Sequence, residues 1–226
     1  MPLTTIFFDA GGTLVFPDTS RTLSELHNRG FHPTQEQLHC AEREAKQQLD
    51  RILAEHHSID GHYWEIYFQR LFRDIGAPDD PHLRVALAAK TRNGINWVNV
   101  LPGTRELLER LRQRYRLGVI SNSDGSIEKL FNTLDLSHCF DCLIDSTVIG
   151  HEKPDPRIFH AALQALGVAP HESLYVGDVY GIDYLGATAV GMHAVLVDVA
   201  GVYRETSYPR LNTLFDIETW LARGSQ

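Results

Sequence analysis

The stretch Thr5-Ile6-Phe7-Phe8-Asp9-Ala10-Gly11-Gly12-Thr13-Leu14 decides the fold of this chain. Its first four residues have high β-propensity, and a short apolar run bounded by glycine is typical of a strand buried on both faces of a parallel sheet. Asp9 would then lie at the carboxyl end of the strand, where open α/β sheets bind their ligands. Such a carboxylate is costly to bury unless a metal ion or a hydrogen-bond donor accompanies it. Taken alone, the stretch fits a strand that ends in a polar turn equally well.

The rest of the chain divides into two patterns. Residues 17–92 show helical periodicity without a convincing strand, with helices predicted over 20–29, 35–53, 61–76 and 81–90. From Trp97 onward helices alternate with strands, which are predicted over 116–121, 140–145, 173–178 and 193–199. We therefore predict an α/β fold, a Rossmann-like parallel sheet with helices on both faces formed by residues 1–16 and 93–226, with an all-helical domain inserted at 17–92.

The composition of the chain limits which kinds of partner we expect it to bind. The chain has 226 residues, a formal net charge of −8 and no block of basic residues, which argues against a nucleic-acid surface. No segment approaches the roughly 20 consecutive apolar residues of a membrane span. The N-terminus lacks the pattern of a secretory signal. We expect a cytoplasmic protein that binds neither nucleic acid nor membrane.

Cysteines and histidines give only weak signals. Cys139 and Cys142 have the C-x-x-C spacing, but no further ligands complete a zinc site, and the pattern over 140–145 predicts a strand with the two cysteines on opposite faces. Three of the twelve histidines form a local cluster, which we interpret as a solvated helix end: His56, His57 and His62.

Three predicted strands end in polar groups that would share one edge of the sheet. The first ends in Asp9, the second in Ser121-Asn122, and a later strand in Asp178, with Asp183 five residues further on. Because the carboxyl ends of parallel strands meet at one edge, we expect these side chains to lie together. Lys153, in a loop before a predicted helix, completes the group.

This group of side chains suits phosphoryl transfer. Asp9 and Asp178 can supply hard oxygen ligands to magnesium, and Asp183 can hold a metal-bound water or Lys153. Ser121 and nearby backbone N–H groups can donate to phosphoryl oxygens, and we predict that Ser121 and the adjacent Asn122 bind the phosphoryl group. Gly11 and Gly12 allow a close approach of the backbone to an anion. Lys153 neutralises charge and keeps Asp9 ionised. One oxygen of Asp9 can then attack phosphorus in line, giving an aspartyl-phosphate that water hydrolyses.

With these residues the chain resembles the haloacid dehalogenase superfamily of hydrolases. The matching segments are Asp9 to Leu14, Val119-Ile120-Ser121-Asn122, Lys153 to Phe159, and Val176-Gly177-Asp178 to Asp183 with Gly186-Ala187. The resemblance covers essentially the whole chain and implies that residues 17–92 form a cap that excludes water and selects the substrate.

The same resemblance assigns roles to the site residues. It implies that Asp9 is the nucleophile and that Asp178 binds magnesium together with Asp9 and the carbonyl of Gly11. It implies further that Ser121 and Lys153 bind the phosphoryl group and that Asp183 supports the metal and Lys153.

One position departs from the superfamily pattern. Its phosphatases usually carry a second aspartate two residues after the nucleophile as the general acid and base, and here that position is Gly11. Because general acid–base catalysis is typically worth about 10²–10⁴-fold, its loss should slow a simple phosphatase. Four side chains are candidates to replace it: Asp18, Asp124, His62 and Tyr63.

Other functions compete with a magnesium-dependent phosphatase of small phosphorylated metabolites. Dehalogenases and phosphonate-cleaving relatives also lack the second acid. However, dehalogenases lack the late Gly-Asp and use no metal, whereas Asp178 is present here. Phosphonate-cleaving relatives form a Schiff base with a lysine of the cap. The only cap lysines here are Lys46, on a polar helix, and Lys90, near the hinge, which disfavours that reaction. A non-catalytic protein that binds a phosphorylated ligand remains an alternative, whereas a signalling receiver domain fails on motif order and length. We interpret the aromatic stripe of the cap (Tyr63, Trp64, Tyr67, Phe68) as core rather than as a partner surface.

Overall fold

The computed structural model describes residues 2–56 and 63–224. Its strands are β1 Thr5–Phe8, β2 Phe16–Pro17, β3 Trp97–Asn99, β4 Arg116–Ser121, β5 Cys142–Asp145, β6 Ser173–Gly177, β7 His193–Val197 and β8 Arg210–Leu211. Six of them form one parallel sheet in the order β5-β4-β1-β6-β7-β8, and β2 and β3 form a separate two-stranded sheet. The predicted parallel α/β sheet is confirmed.

Helices occupy most of the remaining chain. The α-helices are α1 Thr19–Thr22, α2 Ser24–Asn28, α3 Gln35–His56, α4 Tyr63–Ile75, α5 Pro81–Arg92, α6 Thr104–Arg112, α7 Ile127–Thr133, α8 Ser146–Ile149, α9 Pro156–Leu166, α10 Leu185–Ala189 and α11 Ile217–Gly224. Short 3₁₀ turns lie at Gly94–Asn96, Ser137–Cys139, Pro170–Glu172 and Leu214–Asp216, and a π-helical turn lies at Tyr180–Tyr184. None of the helices in the described part of the chain has the length and apolar content of a membrane span.

The strand order places a switch point beside β1. From β1 the chain adds β4 and β5 on one side, then returns to add β6, β7 and β8 on the other. Open α/β sheets bind ligands where the strand order reverses, at the carboxyl ends of the strands. Here that point is the carboxyl end of β1, which leads directly into Asp9.

Side chains of β1 pack on both faces of the sheet. Phe7 belongs to a buried cluster with Ile158 and Phe159 of α9. The neighbouring Phe8 lies 6.4 Å, ring centroid to ring centroid, from Phe140. Phe7 and Phe8 are both fully buried. The continuous apolar run of β1 therefore reflects burial on both sides, as the sequence pattern predicts.

The chain divides into two compact units. One consists of residues 1–16, 98–199 and 203–226 and contains the six-stranded sheet; the other, the helical unit, consists of residues 17–97 and 200–202. The helical unit has its own buried core, to which Phe68 contributes and against which Trp64 and Tyr67 pack. This confirms that the aromatic stripe of α4 is mainly core.

Several predicted elements differ from the structure. The helix predicted over 20–29 breaks at Leu23 into α1 and α2. The strand predicted over 140–145 begins only at Cys142. Before it, a 3₁₀ turn ends at Cys139, and Asp141 is held at Leu117: the N–H of Asp141 donates to the Leu117 carbonyl, and the Asp141 carboxylate accepts from the Leu117 N–H. The two cysteines therefore do not share a strand. Of the predicted histidine cluster, His57, His62 and the side chain of His56 lie outside the described residues.

Candidate active site

Strand register brings the predicted acids to one edge. Phe8 pairs with Val119 of β4 and with Val176 of β6, and the N–H of Asp9 donates to the carbonyl of Val176 over 2.8 Å. Asp9 therefore emerges level with the last residues of both neighbouring strands. Ser121, 4% exposed, ends β4, and Asp178 directly follows β6.

Three buried carboxylates form a cluster at this edge. Asp9, Asp178 and Asp183 each offer an oxygen, and these oxygens lie within 4.8 Å of one another. Asp9 and Asp178 are 8% exposed and Asp183 is 1% exposed. Buried carboxylates this close repel one another unless positive charge lies among them.

Lys153 supplies one positive charge to the cluster. Its ammonium Nζ donates to Asp9 Oδ1 at 2.7 Å, to Asp183 Oδ1 at 2.7 Å and to the hydroxyl of Tyr175 at 2.8 Å. An ammonium group has three hydrogens, so these acceptors satisfy it completely. The 2% exposed side chain is therefore held in one position, against one oxygen of Asp9.

Asp183 uses both carboxylate oxygens within the protein. Oδ1 accepts from Lys153, and Oδ2 accepts from the backbone N–H groups of Asp178 and Val179, each at 3.0 Å. A Cβ at Gly177 would lie 2.5 Å from Asp183 Cγ, so glycine is required there for this packing. These contacts make Asp183 a support for Lys153 and for the Asp178 backbone, in addition to a neighbour of the cluster.

The glycine turn after β1 packs closely against Asp178. Gly12 has φ +75°, and a Cβ on it would lie 2.4 Å from Asp178 Oδ2, so no side chain fits at this position. Gly11 does not share the positive φ. Gly11 forms a bridge with Val15 in which the carbonyl of Ala10 accepts from the N–H of Val15 and the N–H of Gly12 donates to the carbonyl of Val15, so neither bond uses the carbonyl of Gly11.

Asn122 holds the backbone of Lys153. Its side-chain oxygen accepts from the Lys153 N–H at 2.7 Å, and its side-chain nitrogen donates to the Lys153 carbonyl at 3.0 Å. The loop that carries Asn122 is shaped by Asp145 at the end of β5, whose carboxylate accepts from the N–H groups of Gly125 and Ile127. The side chain of Asn122 is thus committed to positioning Lys153, and direct phosphate binding by Asn122 stays a prediction.

Tyr175 was not among the predicted site residues. It is fully buried in β6, and its hydroxyl accepts from Lys153 Nζ and lies 3.0 Å from the carbonyl of Ile120, to which it donates. In the sequence it is one β-forming residue of an apolar strand. The only signal was a hydroxyl in a strand otherwise buried on both faces, which requires a polar partner.

The charge of the cluster is unbalanced. When all three carboxylates are ionised they face one ammonium, which leaves two negative charges in a site where all four groups are buried. The pKa of Asp9 is raised from 3.8 to about 7: burial raises it most, the Lys153 ammonium lowers it in part, and the charges of Asp183 and Asp178 add to the rise. Burial alone would lower the pKa of Lys153, but Asp183 and Asp9 outweigh it and raise that pKa, so the ammonium stays charged. A divalent cation would balance the charge, and carboxylate oxygens are the ligands that magnesium prefers.

We expect the protein without divalent cations to lose stability as pH rises from about 5 to about 7. In this range folded Asp9 keeps a proton that the unfolded chain, with a pKa of 3.8, has released, so the folded state binds more protons and its free energy of unfolding falls. Relative to Asp9→Asn the fall should be about 2–3 kcal/mol. Urea unfolding in EDTA at pH 5, 6 and 7 measures it. Wild-type and Asp9→Asn stabilities that change in parallel over this range would contradict the expectation.

The candidates to replace the missing acid lie in different surroundings. Asp124 accepts hydrogen bonds from the N–H and hydroxyl of Ser126. Asp18 caps α1 by accepting from the N–H of Arg21. Asp18 and Tyr63 belong to the helical unit, and His62 lies outside the described residues. The replacement of the missing acid by one of these four side chains stays a prediction.

Both cap lysines are engaged in other contacts. Lys46 lies on the polar helix α3, as predicted; its side chain is 2% exposed and its ammonium donates to Glu42 at 2.6 Å. Although α3 is charged over most of its length, this position faces inward. Lys90 donates to the hydroxyl of Ser24 at 3.1 Å and to the carbonyl of Arg21.

Comparison with known proteins identifies the family of the chain. Residues 3–191 match the sequence profile of the haloacid dehalogenase-like hydrolases. The chain is 32% identical over 209 residues to a glyceraldehyde 3-phosphate phosphatase of Methanothermobacter thermautotrophicus, covering 87% of this chain and 86% of that protein. It is 37% identical over 139 residues to the mouse haloacid dehalogenase-like hydrolase domain-containing protein 3, covering 60% of this chain and 55% of that protein. This second match spans little more than half of the mouse relative.

Solved structures show the same fold. A putative hydrolase of this type from Bacillus subtilis, solved bound to magnesium, superposes with a TM-score of 0.66 and covers 98% of this chain and 100% of that chain. The identity is 18%, so the likeness concerns the fold alone.

Proposed function

The chain belongs to the haloacid dehalogenase-like hydrolases, and on that basis we propose that it is a magnesium-dependent phosphatase of small phosphorylated metabolites. In this proposal Asp9 is the nucleophile, and the reaction passes through an aspartyl-phosphate. Relatives that are named as glyceraldehyde 3-phosphate phosphatases support phosphate ester hydrolysis. The helical unit is the cap that selects the substrate.

One observation carries the proposal. Asp9 is bound through one carboxylate oxygen to Lys153 at 2.7 Å, and it lies in a carboxylate cluster that holds two excess negative charges. A structural ion pair needs one acid for one base. A site that assembles three acids around one lysine at the switch point of a parallel sheet is suited to a cation and an anionic substrate.

The chain's own groups perform the first step as follows. Lys153 holds Oδ1 of Asp9, which leaves the second carboxylate oxygen to attack phosphorus opposite the ester oxygen. The new bond joins Asp9 to phosphorus, the ester P–O bond breaks, and its electron pair leaves on the alcohol oxygen. That oxygen takes a proton from water, because Gly11 has no side chain that could supply one. Ser121 donates to a phosphoryl oxygen, and Lys153, whose three hydrogens remain on Asp9, Asp183 and Tyr175, binds the phosphoryl group through its positive charge.

The second step restores the carboxylate. Water attacks phosphorus of the aspartyl-phosphate and releases a proton to solvent, the bond to Asp9 breaks with its electron pair returning to the carboxylate, and inorganic phosphate leaves. Lys153 remains beside Asp9 through both steps because Asn122, Asp183 and Tyr175 hold it.

The residues present fit magnesium as the cation. Asp9, Asp178 and the carbonyl of Gly11 would hold it, with Asp183 in support of Lys153 and of the Asp178 backbone. When bound, magnesium would neutralise phosphoryl oxygens and offset the repulsion between them and the attacking carboxylate.

Phosphate release from a panel of small phosphate monoesters, with magnesium and with EDTA, tests the proposal. We expect release from at least one ester in magnesium and background release in EDTA. No release from any ester, in magnesium or in manganese, would contradict it.

Gly11 favours one second candidate, a hydrolase of a carbon–halogen bond. In that reaction too Asp9 would attack, but no leaving alcohol needs a proton, so a glycine at this position costs nothing. Halide release from 2-haloacids in EDTA would support this candidate. Strict dependence on magnesium would count against it.

A further inference from the structure

The acid cluster depends on an unusual turn. Asp183 lies within the π-helical turn Tyr180–Tyr184, which begins two residues after Asp178. π-Helical turns are rare and occur frequently at functional sites. The N–H groups of Asp183 and Tyr184 both reach back to the carbonyl of Val179, over 2.8 and 3.4 Å. The start of the turn therefore fixes where both carboxylates stand.

A tyrosine from a distant part of the chain holds the start of this turn. The backbone N–H of Tyr180 donates to the hydroxyl oxygen of Tyr203 over 2.9 Å. Tyr203 is 4% exposed and lies in the segment between β7 and β8. The first N–H of the turn therefore donates to a side chain and not to a backbone carbonyl, as it would within a helix or a sheet.

The backbone of Tyr203 is itself anchored on both sides. Its N–H donates to the buried carboxylate of Asp198 at 3.0 Å. Its carbonyl accepts from the N–H of Thr206 at 3.1 Å and from the hydroxyl of Thr206 at 2.8 Å. Asp198 in turn is tied to β8, because its N–H donates to the carbonyl of Leu211. These bonds fix Tyr203 relative to the end of the sheet.

Ring packing and the hydroxyl contact can be separated. Tyr180 stacks on Tyr208 with centroids 4.2 Å apart and on Tyr184 with centroids 5.5 Å apart, whereas its centroid lies 6.3 Å from that of Tyr203. The closest ring contact of Tyr180 therefore comes from Tyr208, and the hydrogen bond to its backbone N–H comes from Tyr203. A change from tyrosine to phenylalanine at each position removes one hydroxyl and keeps the ring.

We propose that Tyr203 is a positioning residue for the cation site: by accepting the N–H of Tyr180, its hydroxyl keeps Asp178 and Asp183 beside Asp9. The inference rests on the proposed function, since it concerns the cation that this function requires. Without the hydroxyl the N–H of Tyr180 loses this hydrogen bond, and fewer molecules have the site assembled. Apparent affinity for a ligand falls with the fraction of competent molecules, while the competent molecules themselves react as before.

Calorimetric titration of the full chain with magnesium tests this role. We expect Tyr203→Phe to bind magnesium about tenfold more weakly than wild type, because the loss of this hydrogen bond disfavours the assembled turn. The matched control, Tyr208→Phe, removes a hydroxyl from the ring that stacks on Tyr180 and should bind like wild type. In phosphate release, Tyr203→Phe should raise the magnesium concentration for half-maximal rate by the same factor and leave kcat at saturating magnesium within about twofold.

The possible results separate this inference from the proposed function. Wild type that binds no magnesium would overturn the metal-dependent function and the inference with it. Wild type that binds magnesium while Tyr203→Phe binds equally well would overturn the inference alone, and so would equal losses in Tyr203→Phe and Tyr208→Phe. If Tyr203→Phe does not fold, amide hydrogen exchange of wild type decides. A protected Tyr180 N–H supports the inference, and exchange as fast as in an exposed loop overturns it.

Discussion

Asp9→Asn should reduce phosphate release by about 10⁴-fold or more, because the amide cannot form the aspartyl-phosphate on which both chemical steps depend. The substitution keeps the shape of the side chain and removes one of the three buried negative charges. Since burial raises the pKa of Asp9, the ionised carboxyl destabilises the fold at neutral pH. The variant should therefore melt at the same temperature as wild type or higher in EDTA.

The comparison of activity and stability separates chemistry from folding. Asp216→Asn is a matched control, because Asp216 caps a turn at Asn212 and Thr213, away from the acid cluster. It should keep wild-type turnover. Asp9→Asn that releases phosphate at more than one hundredth of the wild-type rate would remove Asp9 from the role of nucleophile.

Gly11→Asp should raise kcat by about 10²-fold, because it would place a general acid and base two residues after the nucleophile. Gly11 does not adopt a positive φ, so an L-residue is compatible with its backbone, and its carbonyl is kept. The gain should be largest for esters with poor leaving groups, whose alcohol oxygen most needs a proton. Initial rates on an alkyl and an aryl phosphate measure it.

The same substitution one residue later supplies the control for Gly11→Asp. Gly12 has a positive φ, and a Cβ there would lie 2.4 Å from Asp178 Oδ2, so Gly12→Asp should lower activity and magnesium binding. A Gly11→Asp variant that binds magnesium normally but turns over no faster on either ester would show that proton transfer at this position does not limit the reaction.

The fold and the sheet edge on which the site lies could be predicted from the sequence. The run Thr5 to Phe8 could be recognised as a doubly buried strand because every residue in it favours a strand and glycines follow. The strand-end positions of Asp9, Ser121 and Asp178 then placed them on one edge, since parallel strands share a direction. These inferences needed only local pattern and the geometry of parallel sheets.

Contacts across the sheet could not be predicted in the same way. In the sequence Tyr175 cannot be distinguished from other strand residues. Its role follows only from the contact with Lys153, 22 positions earlier, whose ammonium donates to its hydroxyl. Asn122 is predicted to bind phosphate, and the folded loop adds a contact that the sequence does not reveal: its side-chain amide pairs with the backbone of Lys153 as both donor and acceptor. The strand Arg210–Leu211 is too short to carry a pattern. Side-chain partners far apart in sequence depend on packing that periodicity does not encode.

The central claim is that Asp9 carries the phosphoryl group during turnover. Acid quenching of the enzyme during turnover of a phosphate ester in magnesium, followed by mass spectrometry of the peptide that contains Asp9, tests it most directly. The account predicts one added phosphoryl group on Asp9, absent in EDTA and absent in Asp9→Asn. A phosphoryl group on a different residue would contradict it, as would steady turnover with no adduct after quenching at any time.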